Sequence, residues 1–207
     1  MATSPLILAI ASKKGGVGKT TSAVHFAAHL AQRGMNTLLI DGDALRSATD
    51  WSRGGNMPYK VDGTAALITA NRYDAVVIDS EAAPSNAEII TLAEHSSVLV
   101  LPTIPEYQSV SGMLQTVEVL DQAGIPRSRL AVLITMDTRT GTATQEAREA
   151  LSEAGLTVLD QTIRDTVAFR HASGGGLLVR DTRSAAGKMA WLDYERAIDE
   201  LLTGAQA

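Results

Sequence analysis

Short apolar runs alternate with longer amphipathic stretches along all 207 residues of the chain. Runs at Leu6 to Ser12, Thr37 to Asp41, Ala75 to Asp79, Ser97 to Leu101, Leu130 to Thr135 and Thr157 to Leu159 predict strands. Most are continuously hydrophobic rather than alternating, as parallel strands are when helices cover both faces. Between them, helical spacing predicts helices near residues 19–33, 64–71, 86–94, 107–123, 142–154 and 184–202. Gly34 and Gly124 fall where helix C-caps belong, each shortly before a strand. This β-α alternation predicts a doubly wound α/β domain, with a mostly parallel sheet between two helical layers. Ser52 to Gly63, which contains Gly54-Gly55 and Pro58, reads as an excursion after the second strand. Gly174-Gly175-Gly176 reads as a short hinge. With no repeat, low-complexity tract or linker, a single domain over 1–207 is expected.

Composition narrows the possibilities. Aromatic residues are only 4%, so the core must come mainly from Ala, Leu, Ile and Val. A formal net charge of −5 opposes a dedicated basic nucleic-acid binder but allows a local basic patch. There is no cysteine, which excludes disulfides, thiolate metal sites and thiol nucleophiles. The apolar run Leu6 to Ala11 has no basic segment before it and leads directly into Lys13-Lys14-Gly15-Gly16, so it reads as a buried strand rather than a signal peptide. No apolar run approaches the roughly 20 residues of a membrane span, and a cytoplasmic location is expected.

Candidate chemistry begins where the first strand ends. Lys13-Lys14-Gly15-Gly16-Val17-Gly18-Lys19-Thr20-Thr21 runs from a strand into a helix, the context of a phosphate cradle. Glycines let backbone N–H groups turn toward phosphates, and the helix adds its N-terminal dipole. Gly15 to Thr21 together with Lys14 form the candidate nucleotide site. Lys19 should reach the β- and γ-phosphates, and Thr20 should ligate Mg²⁺. The ordinary G-x-x-x-x-G-K-[ST] pattern would place glycine at 13, where this chain has lysine.

These residues resemble the deviant Walker A motif of the ParA/MinD superfamily, Lys-Gly-Gly-x-Gly-Lys-Thr. The resemblance implies an ATPase in which Lys14 reaches across a nucleotide-sandwiched homodimer to the partner's phosphates. Lys13 is either a second contributor or a solvated charge. Asp41-Gly42-Asp43 is similar to the family's Asp-x-Asp element. That match implies that Asp43 positions the attacking water, while Asp41 supports Lys19 and the metal shell; Ala44-Leu45 replaces the usual Pro-Gln. Tyr73 to Asp79 resembles a Walker B strand, which makes Asp79 a ligand of Mg²⁺, through water. Glu81 is a further candidate base, or a solvated switch-loop acid.

The resemblance covers nearly the whole chain. Leu99 to Pro105 is similar to the family's proline-containing strand exit, and Leu133 to Thr135 with Arg139 to the segment near the base. Thr162-Ile163-Arg164, Ala168 to Ala172, Gly176 and Lys188 resemble short plasmid-partition ParA proteins of the ParF type, which have no N-terminal helix-turn-helix domain. Five residues before the first strand leave no room for one here. By this resemblance Arg164 and Arg196 would bind double-stranded DNA without sequence preference, Arg170 and Lys188 being weaker candidates. A small centromere-binding or cargo adaptor would stimulate hydrolysis, and the protein would be nucleoid-associated. Positioning of a protein cargo, or a metabolic P-loop enzyme acting on a small molecule, are the alternatives. Sister branches with cysteine ligands are excluded by composition. A MinD-like membrane helix is not expected, because Trp191 to Leu202 sets Asp193, Glu195, Asp199 and Glu200 against Arg196, and the tail Thr203 to Ala207 is neither basic nor strongly apolar. The stripe Trp191, Tyr194, Ile198, Leu201 and Leu202 instead predicts a helix packed on the sheet. His25 and His29 have i,i+4 metal-site spacing without an evident third ligand, and read as helix-face residues.

Overall fold

The computed structural model describes residues 4–55 and 57–204; the tail's last three residues lie outside them. Six strands form one parallel sheet: β1 (Leu6–Ile10), β2 (Thr37–Asp41), β3 (Lys60–Gly63), β4 (Ala75–Asp79), β5 (Val98–Thr103) and β6 (Leu130–Ile134), in the order β3-β2-β4-β1-β5-β6. Every residue of β2, β4, β5 and β6 is buried, which accounts for their unbroken apolar runs. Among the described residues the seven α-helices are α1 (Lys19–Gln32), α2 (Ser47–Arg53), α3 (Asn86–His95), α4 (Tyr107–Gln122), α5 (Ala143–Glu153), α6 (Ala168–Gly175) and α7 (Ala185–Gly204). The doubly wound expectation is met. One core layer lies between the sheet and α1, α6 and α7, around Phe26, Trp191 and Tyr194. The other lies under α3, α4 and α5, around Ile89, Leu120 and Leu151.

Several local expectations are corrected. The expected strand Thr157 to Leu159 is a single parallel bridge, Val132 to Val158, because Gly155 and Asp160 leave too short a run between them. The excursion after β2 holds α2 and the edge strand β3, whose exposed Lys60 and Asp62 break the apolar signal. Residues 64–72 form 3₁₀ turns rather than an α-helix. The expected glycine hinge at 174–176 is the end of α6. Gly176 sits at φ 62°, and a Cβ there would come within 2.6 Å of Gly54 Cα. These glycines allow two backbones to touch, and confer close approach rather than flexibility. The touch places Trp51, whose Nε1 donates to Leu177 O at 2.9 Å.

The α7 stripe packs as expected, with Trp191, Tyr194, Ile198 and Leu201 buried. Beneath it lie His25 and His29, both buried. His25 Nδ1 is 2.7 Å from Thr21 O while its Nε2 accepts from the Val179 N–H at 3.2 Å, which defines the Nδ1–H tautomer. His29 stacks on Trp191 with ring centroids 3.7 Å apart. Among the described residues no group of three or more His, Asp or Glu could hold a metal, and no helix is long and apolar enough to cross a membrane. Burial lowers the His25 pKa to about 4 and that of His29 to about 3.

Both histidines are therefore neutral when folded, and the unfolded chain takes up protons that the folded chain refuses. Their contributions, on the order of 3 kcal/mol for His25 and about 5 kcal/mol for His29, are complete above about pH 6.5 and are lost as pH falls toward 4 for His25 and toward 3 for His29. His29→Phe keeps the stacking and removes one proton from this linkage. Thermal unfolding across pH 4–8 should show a shallower acid limb for the variant than for the wild type. Parallel limbs would mean that His29 titrates normally.

Candidate functional site

Parallel pairing brings the carboxyl ends of β1, β2 and β4 to one edge of the sheet. Asp41 is in register with Asp79, and Ile10 with Asp79. β1 and β5 are neighbours whose onward connections depart in opposite directions, β1 to β2 and β5 to β6, which opens a crevice at the strand tips. The loop after β1 fills it. Gly16 and Gly18 adopt φ 76° and 81°, values that L side chains rarely reach. Val17 is buried and anchors the loop, its carbonyl 3.0 Å from Thr135 Oγ1. Gly18 is the N-cap of α1 and no side chain caps that end, so the first N–H groups of Lys19, Thr20 and Thr21 suit an anion.

The side chains around the loop carry strained charge. Lys19 is buried, donates to Ala82 O at 3.0 Å, and has its pKa lowered by desolvation against the pull of Asp79 and Asp43. Asp79 is 0% exposed, and neither carboxylate oxygen has a hydrogen-bond partner. Burial pushes its pKa up to about 7, with the Thr20 hydroxyl the strongest influence in the other direction. A buried carboxylate with two unsatisfied oxygens next to a threonine hydroxyl fits a hard divalent cation, which takes oxygen donors and keeps its waters. Asp41 is differently employed. Its Oδ2 accepts from Thr49 N and Oγ1 at 2.8 and 2.7 Å, and its Oδ1 from Asp43 N at 3.1 Å. Asp41 thus shapes the loop that carries Asp43. Asp43 itself is half-buried and accepts from Leu45 N at 2.9 Å.

The remaining candidates disperse. Lys14 Nζ lies 2.6 Å from Ser109 Oγ and 3.3 Å from Glu106 Oε2, both at the start of α4. Lys13 bonds Asn86 on α3. Glu81 is paired with Glu88, whose hydrogen bond and charge raise the Glu81 pKa. Arg164 donates to Asp193 through Nε and Nη2 at 2.6 and 2.9 Å, while Arg196 and Lys188 are exposed on α7 and Arg170 on α6. Arg139 reaches Asp193 and Thr162 O rather than a ligand space. Asp193 is 1% exposed, so two guanidinium groups compensate a buried charge there.

A cavity of about 170 Å³ opens next to Gly18, Thr21 and Thr135. Trp51, Met136, Ile163 and Phe169 give it flat apolar walls, with Arg164 and Thr166 at its polar side. Such a space, contiguous with a phosphate loop, suits a planar heterocycle. Trp51 and Met136 carry no motif, and Phe169 lies in the segment Ala168 to Ala172 without an assigned ligand contact. They arrive from α2, from the turn after β6, where Met136 has φ 53°, and from α6.

Asp79→Asn replaces a buried carboxylate that has no hydrogen-bond partner with a neutral near-isostere. In nucleotide-free protein at pH 8 the variant should melt several degrees higher than the wild type, a gain on the order of 2 kcal/mol. Differential scanning calorimetry is the measurement. An unchanged or lower Tm would mean that the carboxylate is already compensated.

The description "CobQ/CobB/MinD/ParA nucleotide binding domain" matches residues 8–179. The chain is 31% identical over 207 residues to the maintenance of carboxysome distribution protein A of Gloeobacter kilaueensis, covering 95% of this chain and 94% of that one. It is 30% identical to the chromosome-partitioning ATPase Soj of Thermus thermophilus, covering 96% of each. The structure of a ParA family ATPase from Chlorobium tepidum superposes with a TM-score of 0.76 at 17% identity, over 94% of this chain and 98% of that one. With a parallel sheet, a glycine-rich loop at its edge and these relatives in agreement, the chain belongs to the CobQ/CobB/MinD/ParA nucleotide-binding family.

Proposed function

We propose that the protein is a Mg²⁺-dependent ATPase that dimerises around ATP, binds DNA without sequence preference, and positions a plasmid or chromosome through a small adaptor protein. The observation that carries this reading is the convergence of Lys19, Thr20, Asp79 and Asp43 on one crevice, with a second lysine, Lys14, beside the loop. The uncapped start of α1 and Lys19 hold the phosphates. Thr20 and Asp79 hold Mg²⁺, which when bound neutralises phosphate charge, and Asp41 keeps the Asp43 loop in shape. Asp43 orients a water whose oxygen bonds to the γ-phosphorus as the β–γ bridging P–O bond breaks. Lys14 of a second copy offsets the charge that develops on the transferring phosphoryl group. The apolar cavity beside Gly18 and Thr21 receives the base.

The name of the Gloeobacter relative supports a second reading of the cargo, a protein body in place of DNA, with the same ATPase cycle. The two readings differ in the adaptor and not in this site. A metabolic P-loop enzyme is less well supported, since a lysine held outside the loop has no task in a monomeric transferase.

Single substitutions separate the roles. Lys19→Ala should abolish nucleotide binding. Lys14→Ala should retain ADP but lose ATP-dependent dimerisation and at least about 10³-fold in turnover, the scale of a cation supplied in trans. Asp43→Ala should bind ATP and accumulate as a dimer, with turnover reduced roughly 10²–10⁴-fold; Glu81→Ala should remain near wild type. Phosphate release and size-exclusion chromatography with ATP and Mg²⁺ measure both properties. Wild-type turnover by Lys14→Ala would reject the trans assignment.

DNA binding is best tested at Arg196, which is exposed. Arg164→Glu would also leave Asp193 facing a second carboxylate, which confounds binding with folding. Arg196→Glu should weaken binding to unrelated duplexes equally and lower the salt slope by about 1–2, with ATP-dependent dimerisation intact. Mobility shifts with ATP, ADP and no nucleotide across a salt series give the answer. Equal binding in all nucleotide states would reject a nucleotide switch, and no binding at low salt would remove the DNA track.

A further inference from the structure

Lys14 is not idle in the nucleotide-free chain. Its ammonium donates to Ser109 Oγ at 2.6 Å and lies 3.3 Å from Glu106 Oε2, and its side chain is only 35% exposed. Ser109 is buried, so the hydroxyl is a fixed acceptor in the wall of α4 rather than a mobile surface group. Glu106 occupies the N-cap position of α4, yet its side chain makes no capping hydrogen bond there and turns to Lys14 instead. The arrangement contains its own opposition. The N-terminus of a sixteen-residue helix is its positive end, where a cation is disfavoured. Two hydrogen bonds, one of them to a carboxylate that the helix end favours, hold the ammonium against that field.

We propose that Glu106 and Ser109 form a latch that holds Lys14 against α4 in the nucleotide-free monomer, and that dimerisation with a second copy of this chain requires its release. This rests on the reading that Lys14 acts in trans. While latched, the lysine's donors and charge are spent within its own chain and are withheld from another subunit's phosphates. The strongly anionic triphosphate offers several acceptors and no opposing helix dipole, so it outcompetes one hydroxyl and one exposed carboxylate. The latch therefore sets a threshold for dimer formation, and it leaves Lys19 and the phosphate cradle untouched.

The test uses Ser109→Ala, Glu106→Gln and the double variant, with light scattering recording dimer formation against a non-hydrolysable ATP analogue and Mg²⁺. Each single change should lower the analogue concentration for half-maximal dimer about threefold, and the double change up to about tenfold. ADP affinity should not change. Glu106→Gln guards against a packing defect at the buried serine, and a merely structural loss would weaken dimerisation rather than strengthen it. In a Lys14→Ala background the same substitutions should have no effect. Latch variants that match or fall below wild type, while Lys14→Ala fails to dimerise, overturn the latch and leave the trans lysine standing. A response that persists without Lys14 overturns it as well. If Lys14→Ala dimerises normally, the trans lysine falls and the latch falls with it.

Discussion

A parallel strand cannot return by a hairpin; each needs a crossover, and the crossover helices cover the sheet on both faces. Here that constraint governs nearly everything. It sets the two core layers, buries all of β2, β4, β5 and β6, and brings the carboxyl ends of the strands to one edge. Asp41 and Asp79 stand in register because their strands are parallel neighbours, although they are far apart in the chain. The glycine-rich loop after β1 enters the same edge because β1 lies between β4 and β5.

Burial at that edge leaves charged groups short of hydrogen-bond partners. Asp79 has two oxygens without partners and a pKa near 7, and Lys19 is desolvated beside it. In a structural core such groups would be selected against, because an unpaired buried charge is destabilising. At a ligand site they are poised acceptors and donors that a cation and a polyphosphate can satisfy. Asp193, equally buried, is satisfied by Arg164 and Arg139, and marks what a structural carboxylate looks like in the same protein.

The far side of α1 joins the core to the ligand space. His25 bonds Thr21 O and stacks on Tyr194 at 4.9 Å, and both Thr21 and Tyr194 line the cavity beside the loop. α7 therefore supports the first turn of α1 through an aromatic cluster that includes His29 and Trp191. The glycine contact between Gly54 and Gly176 closes the same region by setting α2 against α6, with Trp51 between.

The sequence by itself determined the parallel α/β architecture, since unbroken apolar runs with β-α spacing admit few alternatives. It marked the loop after β1 too, because there residue type and order are the signal: Gly16 and Gly18 take positive φ, and Lys19 and Thr20 open α1. It was mute where the signal is not local. β3 is an edge strand whose exposed Lys60 and Asp62 erase its pattern, and Gly174-Gly175-Gly176 looks like a hinge until Gly54 lies against it. Only the tertiary structure decided that Asp41 braces a loop, that Arg164 answers Asp193 and that Lys14 rests on Ser109. Each of those roles depends on which partner a long-range contact supplies, and a side chain's identity does not encode its partner.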